Sequence, residues 1–339
     1  MDFLKKRRVG IFLLFSACLG VLVCLKIYYH SRVNLEDNAV RPPMVKFYPH
    51  TDQELQALAE RKDVEYLVLA RGNAITKNGL KYLSRFSTLK NLVLSVEDTD
   101  LEYIQNLNAL SFLSLSFSPI NDQGVQYLKR LDNLKSLDLY QTNIGDEGLA
   151  HLQQLKLESL ELGQTKITGA GLMHLEKMAS LKILNLYKTA ITDDGLQYLH
   201  GLGNLVELNL MKTKIADDGL KNLQSLANLC WLDLSWNDIH GSGLLFLKDL
   251  KQLMRLSLAY NKISDSNLQY LRNSETLTHL NLMGMKISDD GIVYLTKFKH
   301  LKCINVSQTF ITEEGCQQLR HALPQCFVES NYHGPVFKK

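Results

Sequence analysis

Cysteine is scarce, and catalytic signatures are missing altogether. The chain carries 6 cysteines in 339 residues; Cys18 and Cys24 fall in an apolar N-terminal run, leaving Cys230, Cys303, Cys316 and Cys326. That is too few for a dense disulfide framework, although four thiols leave pairing open, and Cys316 stands where most repeats have a buried leucine. No GxSxG, HExxH, Walker A or dinucleotide-type glycine pattern occurs in the strand–helix context such motifs need. His279 and Cys303 come nearest to a Cys/His pair, but on an open surface they have no pocket and no orienting third group, so no enzyme activity is expected. Acid pairs such as Asp193-Asp194 lie beside Gly and Leu rather than a set of oxygen ligands, so neither a metal nor any other cofactor is expected. Clustered positive charge is lacking too. The formal net charge is +3, but residues 1–34 hold Lys5, Lys6, Arg7, Arg8, Lys26 and Arg32 against Asp2 alone, so the rest of the chain is −2. A nucleic-acid partner would need a basic face, and none is present.

One long apolar run exists. KKRR at 5–8 leads into 17 uncharged residues, 9–25, followed by Lys26 and Ile27-Tyr28-Tyr29. The length is at the short end of a bilayer span, and the charge bias favours a cytoplasmic N-terminus. The expectation is a basic N-terminus at 1–8 and a single-pass transmembrane anchor or signal segment at 9–29. Membrane contact would be made through 9–29, and the remainder of the chain would be extracytoplasmic. Cleavage as a signal peptide is one alternative, and lipidation at Cys18 after Phe15-Ser16-Ala17 is another. Residues 30–43, with Pro42 and Pro43, read as a linker.

From residue 64 the chain repeats itself. The stretch 181–204, LKILNLYKTAITDDGLQYLHGLGN, is followed without spacer by LVELNLMKTKIADDGLKNLQSLAN. LxxLxL alternates as a half-buried strand does; LxxLxxL has the spacing of a helix or tight helical turn; a polar turn lies between them. Repeats begin at 64, 89, 110, 134, 157, 181, 205, 229, 253, 277 and 301, eleven in all, within 64–324. Residues 44–63 read as an N-terminal cap and 325–339 as a capping strand and tail, because an end repeat has no neighbour to cover its core. The ninth place of each repeat (Thr189, Thr213, Asn237) suits hydrogen bonding to the turn, and Thr-Asp-Asp ahead of the helical leucines suits helix capping.

The pattern LxxLxLxxTxITDxGLxxLxxLxx resembles the leucine-rich repeats of bacterial proteins, and is similar to the cysteine-containing repeats of F-box proteins with Thr in the usual Cys place. The resemblance covers roughly 64–330 and implies an α/β solenoid, a horseshoe with a concave parallel sheet and short helices on the convex side, to which the apolar run adds an N-terminal transmembrane helix. It implies a binding surface for another protein. Residues 1–63 contain no F-box, which argues against a ubiquitin-ligase-like substrate receptor.

On such a sheet the third, fifth and seventh places of each repeat face the ligand and the eighth lies towards one rim. Both tryptophans of the chain, Trp231 and Trp236, fall in one repeat. With Tyr140, Tyr187, Lys188, Lys212, Asp233, Arg255, Tyr260 and His279 they make a surface rich in aromatics and ringed by charge, the composition of protein interfaces. These ten are the candidate ligand-binding residues. Glycan binding, a surface spacer, and an intracellular adaptor or secreted effector are the competing readings.

Overall fold

The computed structural model describes residues 45–69, 72–271 and 275–331. Thirteen short parallel strands follow one another in chain order and form one sheet: β1 Lys46–Phe47, β2 Tyr66–Leu69, β3 Asn91–Leu94, β4 Phe112–Ser114, β5 Ser136–Asp138, β6 Ser159–Glu161, β7 Ile183–Asn185, β8 Glu207–Asn209, β9 Trp231–Asp233, β10 Arg255–Ser257, β11 His279–Asn281, β12 Cys303–Asn305 and β13 Phe327–Glu329. The register joins equivalent positions of successive repeats, so Leu184 pairs with Leu208 and Leu208 with Leu232. Each return to the sheet runs through a short helical segment, most often a 3-10 helix such as Asp193–Leu199 or Asp217–Leu223. A spacing of three between Leu196, Leu199 and Leu202 matches the three residues per turn of a 3-10 helix, which keeps all of them on one face. Every recurrent apolar residue of this repeat, from Leu181 to Leu202, is at most 1 % exposed. Burial of that kind contributes about 1.5–3 kcal/mol per large side chain.

The ends differ from the middle. At the N-terminus the helix Asp52–Ala59 is capped by Thr51 and buries Leu55 and Ala59. At the C-terminus the helix Glu313–Ala322 buries Gly315, Cys316 and Leu319, and Val328 of β13 closes the core at 6 % exposure.

One expectation is corrected. The helix Glu313–Ala322, at 10 residues, spans about 15 Å against the ~30 Å of a bilayer's hydrocarbon. No helix of the described residues is long and apolar enough to cross a membrane. The transmembrane helix is therefore removed from the fold class, which is the repeat array alone; the stretch 9–29 on which it was placed lies outside the described residues.

The acidic pairs stand in the first turns of their helices and also tie one repeat to the next. The first Asp of each pair accepts from the following repeat: Asp193 Oδ1 from the Ala216 amide at 2.8 Å, Asp146 from both the amide and the hydroxyl of Thr168, at 2.8 and 2.6 Å, and Asp289 likewise from Thr312 at 2.9 and 2.7 Å. The glycine of the next repeat makes room for that carboxylate. A Cβ on Gly219 would overlap Asp193, one on Gly171 would overlap Asp146, and one on Gly315 would overlap Asp289. Space, not a left-handed backbone, requires these glycines. Between the repeats starting at 229 and 253 the pair is reversed. Gly241 stands in the Asp place and Asn267 in the Gly place, where a Cβ on Gly241 would meet Asn267 Cβ at 2.5 Å. Asn267 Oδ1 then takes the Ser264 amide and hydroxyl, at 3.2 and 2.6 Å, the groups an Asp would otherwise hold.

Replacing Gly219 by Ala is expected to destabilise the array by about 1–3 kcal/mol, the usual cost of overpacking. In an Asp193→Ala background the same replacement should cost measurably less, because the obstructing carboxylate is gone. Urea denaturation of the four proteins in this cycle checks it; additive losses would mean that the two residues do not compete for one space.

Candidate functional site

The strand leaves the sheet through a left-handed step. At the eighth place of successive repeats Phe117, Gln141, Gln164, Lys188, Lys212, Trp236, Tyr260 and Gln308 all have φ between 53° and 60°, and Gly284 has 70°. The reason is a hydrogen bond to the next repeat. The amide of Lys188 donates to the Met211 carbonyl at 2.9 Å, that of Lys212 to Ser235 at 2.8 Å and that of Trp236 to Ala259 at 2.8 Å. Beside Gln308 the chain has passed the end of β13, and its amide donates to Asn331 Oδ1 at 3.1 Å instead. A left-handed step costs an L-residue about 1–2 kcal/mol. In return, the eighth side chains are raised into a row along the rim.

That row is joined side to side. The amide of Gln164 bridges its neighbours, donating through Nε2 to the Tyr140 hydroxyl and accepting through Oε1 from Lys188 Nζ at 3.2 Å. The Tyr140 ring also meets Phe117 edge-on, with centroids 5.5 Å apart. Further along, Lys212 Nζ sits 5.8 Å from the Trp236 ring, and Trp236 stacks on Tyr260 at 4.1 Å and 25°. The Tyr260 ring lies over Gly284, where a side chain would collide with it, and its hydroxyl donates to Gln308 Oε1 at 3.0 Å. Trp236 remains 47 % exposed, so the stack presents an open aromatic face.

The floor of the sheet is built differently. At the fifth place an Asp or Asn turns back on its own strand and accepts the amide two residues on: Asn185 from Tyr187 at 2.8 Å, Asn209 from Met211 at 2.9 Å and Asp233 from Ser235 at 2.8 Å. Asp233 is thus committed to holding the strand end, and burial pushes its carboxyl above the ordinary range. Glu161 on β6 is pushed up to about 8, first by burial and then by the neighbouring Asp138 and Glu207, while the Asn185 amide, donating to Oε2 at 2.7 Å, opposes the shift. Tyr140 and Tyr187 flank Gly163, two residues beyond Glu161: a Cβ there would meet Tyr140 Cδ2 at 2.9 Å and Tyr187 Cβ at 3.4 Å.

The ten expected residues therefore divide. Lys188, Lys212, Trp236 and Tyr260 belong to the rim row; Tyr140, Tyr187 and Asp233 belong to the floor, with the Tyr140 hydroxyl bonded to Gln164 of the row. Trp231, Arg255 and His279 stand in register on β9, β10 and β11, at the start of the strands. The two tryptophans thus occupy opposite ends of one strand, and the stacking partner of Trp236 is Tyr260. His279 is held below its usual range by burial, then by Arg255 and Lys302, and its Nδ1 lies 2.9 Å from the Thr278 hydroxyl. Burial raises the Cys303 thiol and the Glu329 carboxylate adds to the rise, so both shifts favour the neutral forms of this pair. Sequence reasoning misses Gln164, Gln308 and Glu161. The glutamines carry no pattern of their own; Glu161 is visible as one of three acids in the fifth column, next to Asp138 in the preceding repeat.

Because the folded state holds a proton on Glu161 up to about pH 8 while an unfolded carboxyl releases it near 4.5, stability should fall as pH rises between those values. Glu161→Gln keeps the acceptor for Asn185 and removes the titration. Its melting temperature relative to the parent is expected to be higher at pH 9 than at pH 5 by at least about 2 °C, measured by differential scanning calorimetry; an equal difference at both pH values would contradict the raised carboxyl.

Comparison with known proteins agrees with this geometry. A family model described as Leucine Rich repeat matches residues 131–152, 177–199, 204–223, 231–248 and 273–295. No curated protein matches the chain by sequence. Among solved structures, an internalin (inlF) from Listeria monocytogenes superposes with a TM-score of 0.61 at 23% identity, over 84% of this chain and 89% of that one. The mouse RP105/MD-1 complex contains a chain that superposes with a TM-score of 0.56 at 20% identity, over 79% of this chain and 50% of that one. The repeated sequence pattern, the ordered parallel sheet and these matches together make the chain a leucine-rich-repeat protein.

Proposed function

We propose that the protein is a non-catalytic binding module that holds another protein on the open face of its sheet, with the rim row from Phe117 to Gln308 as its main contact. The observation that carries this reading is the partly exposed row itself, linked in two runs, Gln164 with Lys188 and Lys212 through Trp236 and Tyr260 to Gln308. Stacked and amide-linked side chains are already fixed before a partner arrives, so little conformational entropy is lost on contact. Aromatic anchors of this kind dominate the energetics of protein interfaces. The solved RP105 structure, of like fold, is a complex with a second protein, MD-1. Its 20% identity speaks for the fold, and the proposal rests on the row.

The test is a triple replacement, Tyr187→Ala, Trp236→Ala and Tyr260→Ala, in the full chain. Chemical cross-linking in the native cell, with mass spectrometry of the captured partners, should show the parent's partners depleted at least tenfold in the variant. Replacing Val293, exposed on the helical side, should leave them in place. Undiminished capture by the triple variant would overturn the assignment of the surface.

A further inference from the structure

From β5 to β9 the open face is lined by acids with no basic residue among them, and Arg255 follows on β10. In the third, fifth and seventh places of the repeats starting at 134, 157, 181, 205 and 229 there are four carboxylates, Asp138, Glu161, Glu207 and Asp233, and no Lys or Arg. Register sets Asp138 on β5 directly beside Glu161 on β6, and places Glu207 beside Trp231. Asp138 and Glu207 act on Glu161 together with the Asn185 amide, and Ser235 donates to Asp233. Further along the strand direction, on the rim, Lys188 and Lys212 point their ammonium groups at Gln164 Oε1 and the Trp236 ring, not at a carboxylate. Among the described residues, Asp138, Glu161, Asp233, Lys188 and Lys212 take no part in any ion pair.

Elsewhere on the same molecule the equivalent opportunity is used. At the second place Glu158 lies between Lys135 and Lys182, at 3.8 and 2.7 Å. Neutralisation across adjacent strands is thus available to this architecture, and Asp138, Glu161 and Asp233 do not use it. Burial without a counter-charge favours the protonated form of Glu161 and Asp233, and a complementary cation from outside favours their carboxylates, so a docking cation would draw those protons off. Separation of a negative floor from a positive rim also gives the face a direction along the strands, and so an orientation for whatever it holds.

We propose that this face docks a protein partner presenting a basic segment to the Asp138–Glu161–Glu207–Asp233 floor and an acidic flank to Lys188 and Lys212. The inference rests on the protein-binding reading above and adds the chemistry of the partner. Tyr140 and Tyr187 flank Gly163 beside Glu161, so aromatic side chains border the acidic floor. Trp231 stands in register with Glu207 and Arg255 and closes the floor on one side.

The test uses the full chain and the intrinsic fluorescence of Trp231 and Trp236, the only 2 tryptophans in the sequence. At low ionic strength and pH 9, where Glu161 is ionised, hexaarginine is expected to change it saturably and hexaglutamate to leave the floor unoccupied. Salt at about 1 M should abolish the effect, since it shortens the screening length to about 3 Å. The variant Glu161→Gln/Glu207→Gln/Asp233→Asn should bind hexaarginine at least tenfold more weakly. The control Asp194→Asn/Asp218→Asn/Asp290→Asn, with the same change of net charge on acids at the helix starts, should stay within twofold. Circular dichroism melting confirms that each variant is folded; if the floor triple variant is not, Glu207→Gln alone takes its place with an expected loss of at least twofold. Absence of a saturable response to hexaarginine, equal weakening in the control, tighter binding of hexaglutamate, or saturable binding of maltohexaose in place of the peptide would each overturn the proposal. If those results came with loss of partner capture in the aromatic triple variant, the surface would stand and only its charge preference would fail.

Discussion

A parallel array of three-residue strands has one problem to solve at every period: the backbone leaving the strand must turn without abandoning its hydrogen bonds. Here the amide at the eighth place donates to the seventh-place carbonyl of the following repeat, from Phe117 to Gly284, and that bond forces φ into the left-handed region. Several distinctive features of the molecule trace to this constraint. The fifth-place Asp or Asn secures the seventh-place amide, for instance Asn185 for Tyr187 and Asn305 for Ser307. The ninth-place residue secures the carbonyl behind the turn, as Thr189 does for Leu186 at 2.6 Å. Asn237 and Asn261 extend that duty across the repeat boundary, donating to Leu210 and Leu234 as well as to their own strands. The buried polar groups around the turn thereby find partners, as a dry core demands.

The helical side meets the same requirement by different means. Asp193, Asp146 and Asp289 reach forward to the next repeat, and glycines at 219, 171 and 315 leave the room they need. Both sides are therefore tied by nearest-neighbour bonds, and stability is a property of boundaries between repeats rather than of repeats alone. Reversal of the pair at Gly241 and Asn267 shows that the boundary accepts side chain and gap in either order, and at Gly169 and Gly195 two glycines bring the backbones together instead.

How much of this the sequence discloses depends on whether a feature has a period. Leucines at the first, fourth and sixth places, and the three-residue spacing of Leu196, Leu199 and Leu202, define strand and helical turn directly. The partnership of Asp193 with Gly219 is hidden because its members lie 26 residues apart, across a repeat boundary, and each also has a plausible local role. The left-handed step is hidden because Lys, Trp, Tyr and Gln occupy it, and only Gly284 betrays the conformation. Closeness of Trp231 and Trp236 in sequence suggests one cluster, whereas the strand carries them to its two ends and brings Tyr260 to Trp236. The transmembrane helix comes from apolar content alone, outside the described residues, and the helices of the array are too short for it.

The eighth place is where scaffold and surface compete. Glycine would meet the conformational requirement at no steric cost, as Gly284 does, and each non-glycine residue there carries a strain of about 1–2 kcal/mol. Eight such residues keep their side chains nonetheless. Their mutual contacts return part of that cost, since stacking of Trp236 on Tyr260 contributes about 0.5–1.5 kcal/mol beyond its buried area. Phe117 stays 54 % exposed despite its contact with Tyr140, so its return is smaller still. A surface row that costs the fold more than it returns is best explained by what lies outside the fold. On that argument the side chains most informative about function are those the turn would rather not have, and they run along the rim from Phe117 to Gln308.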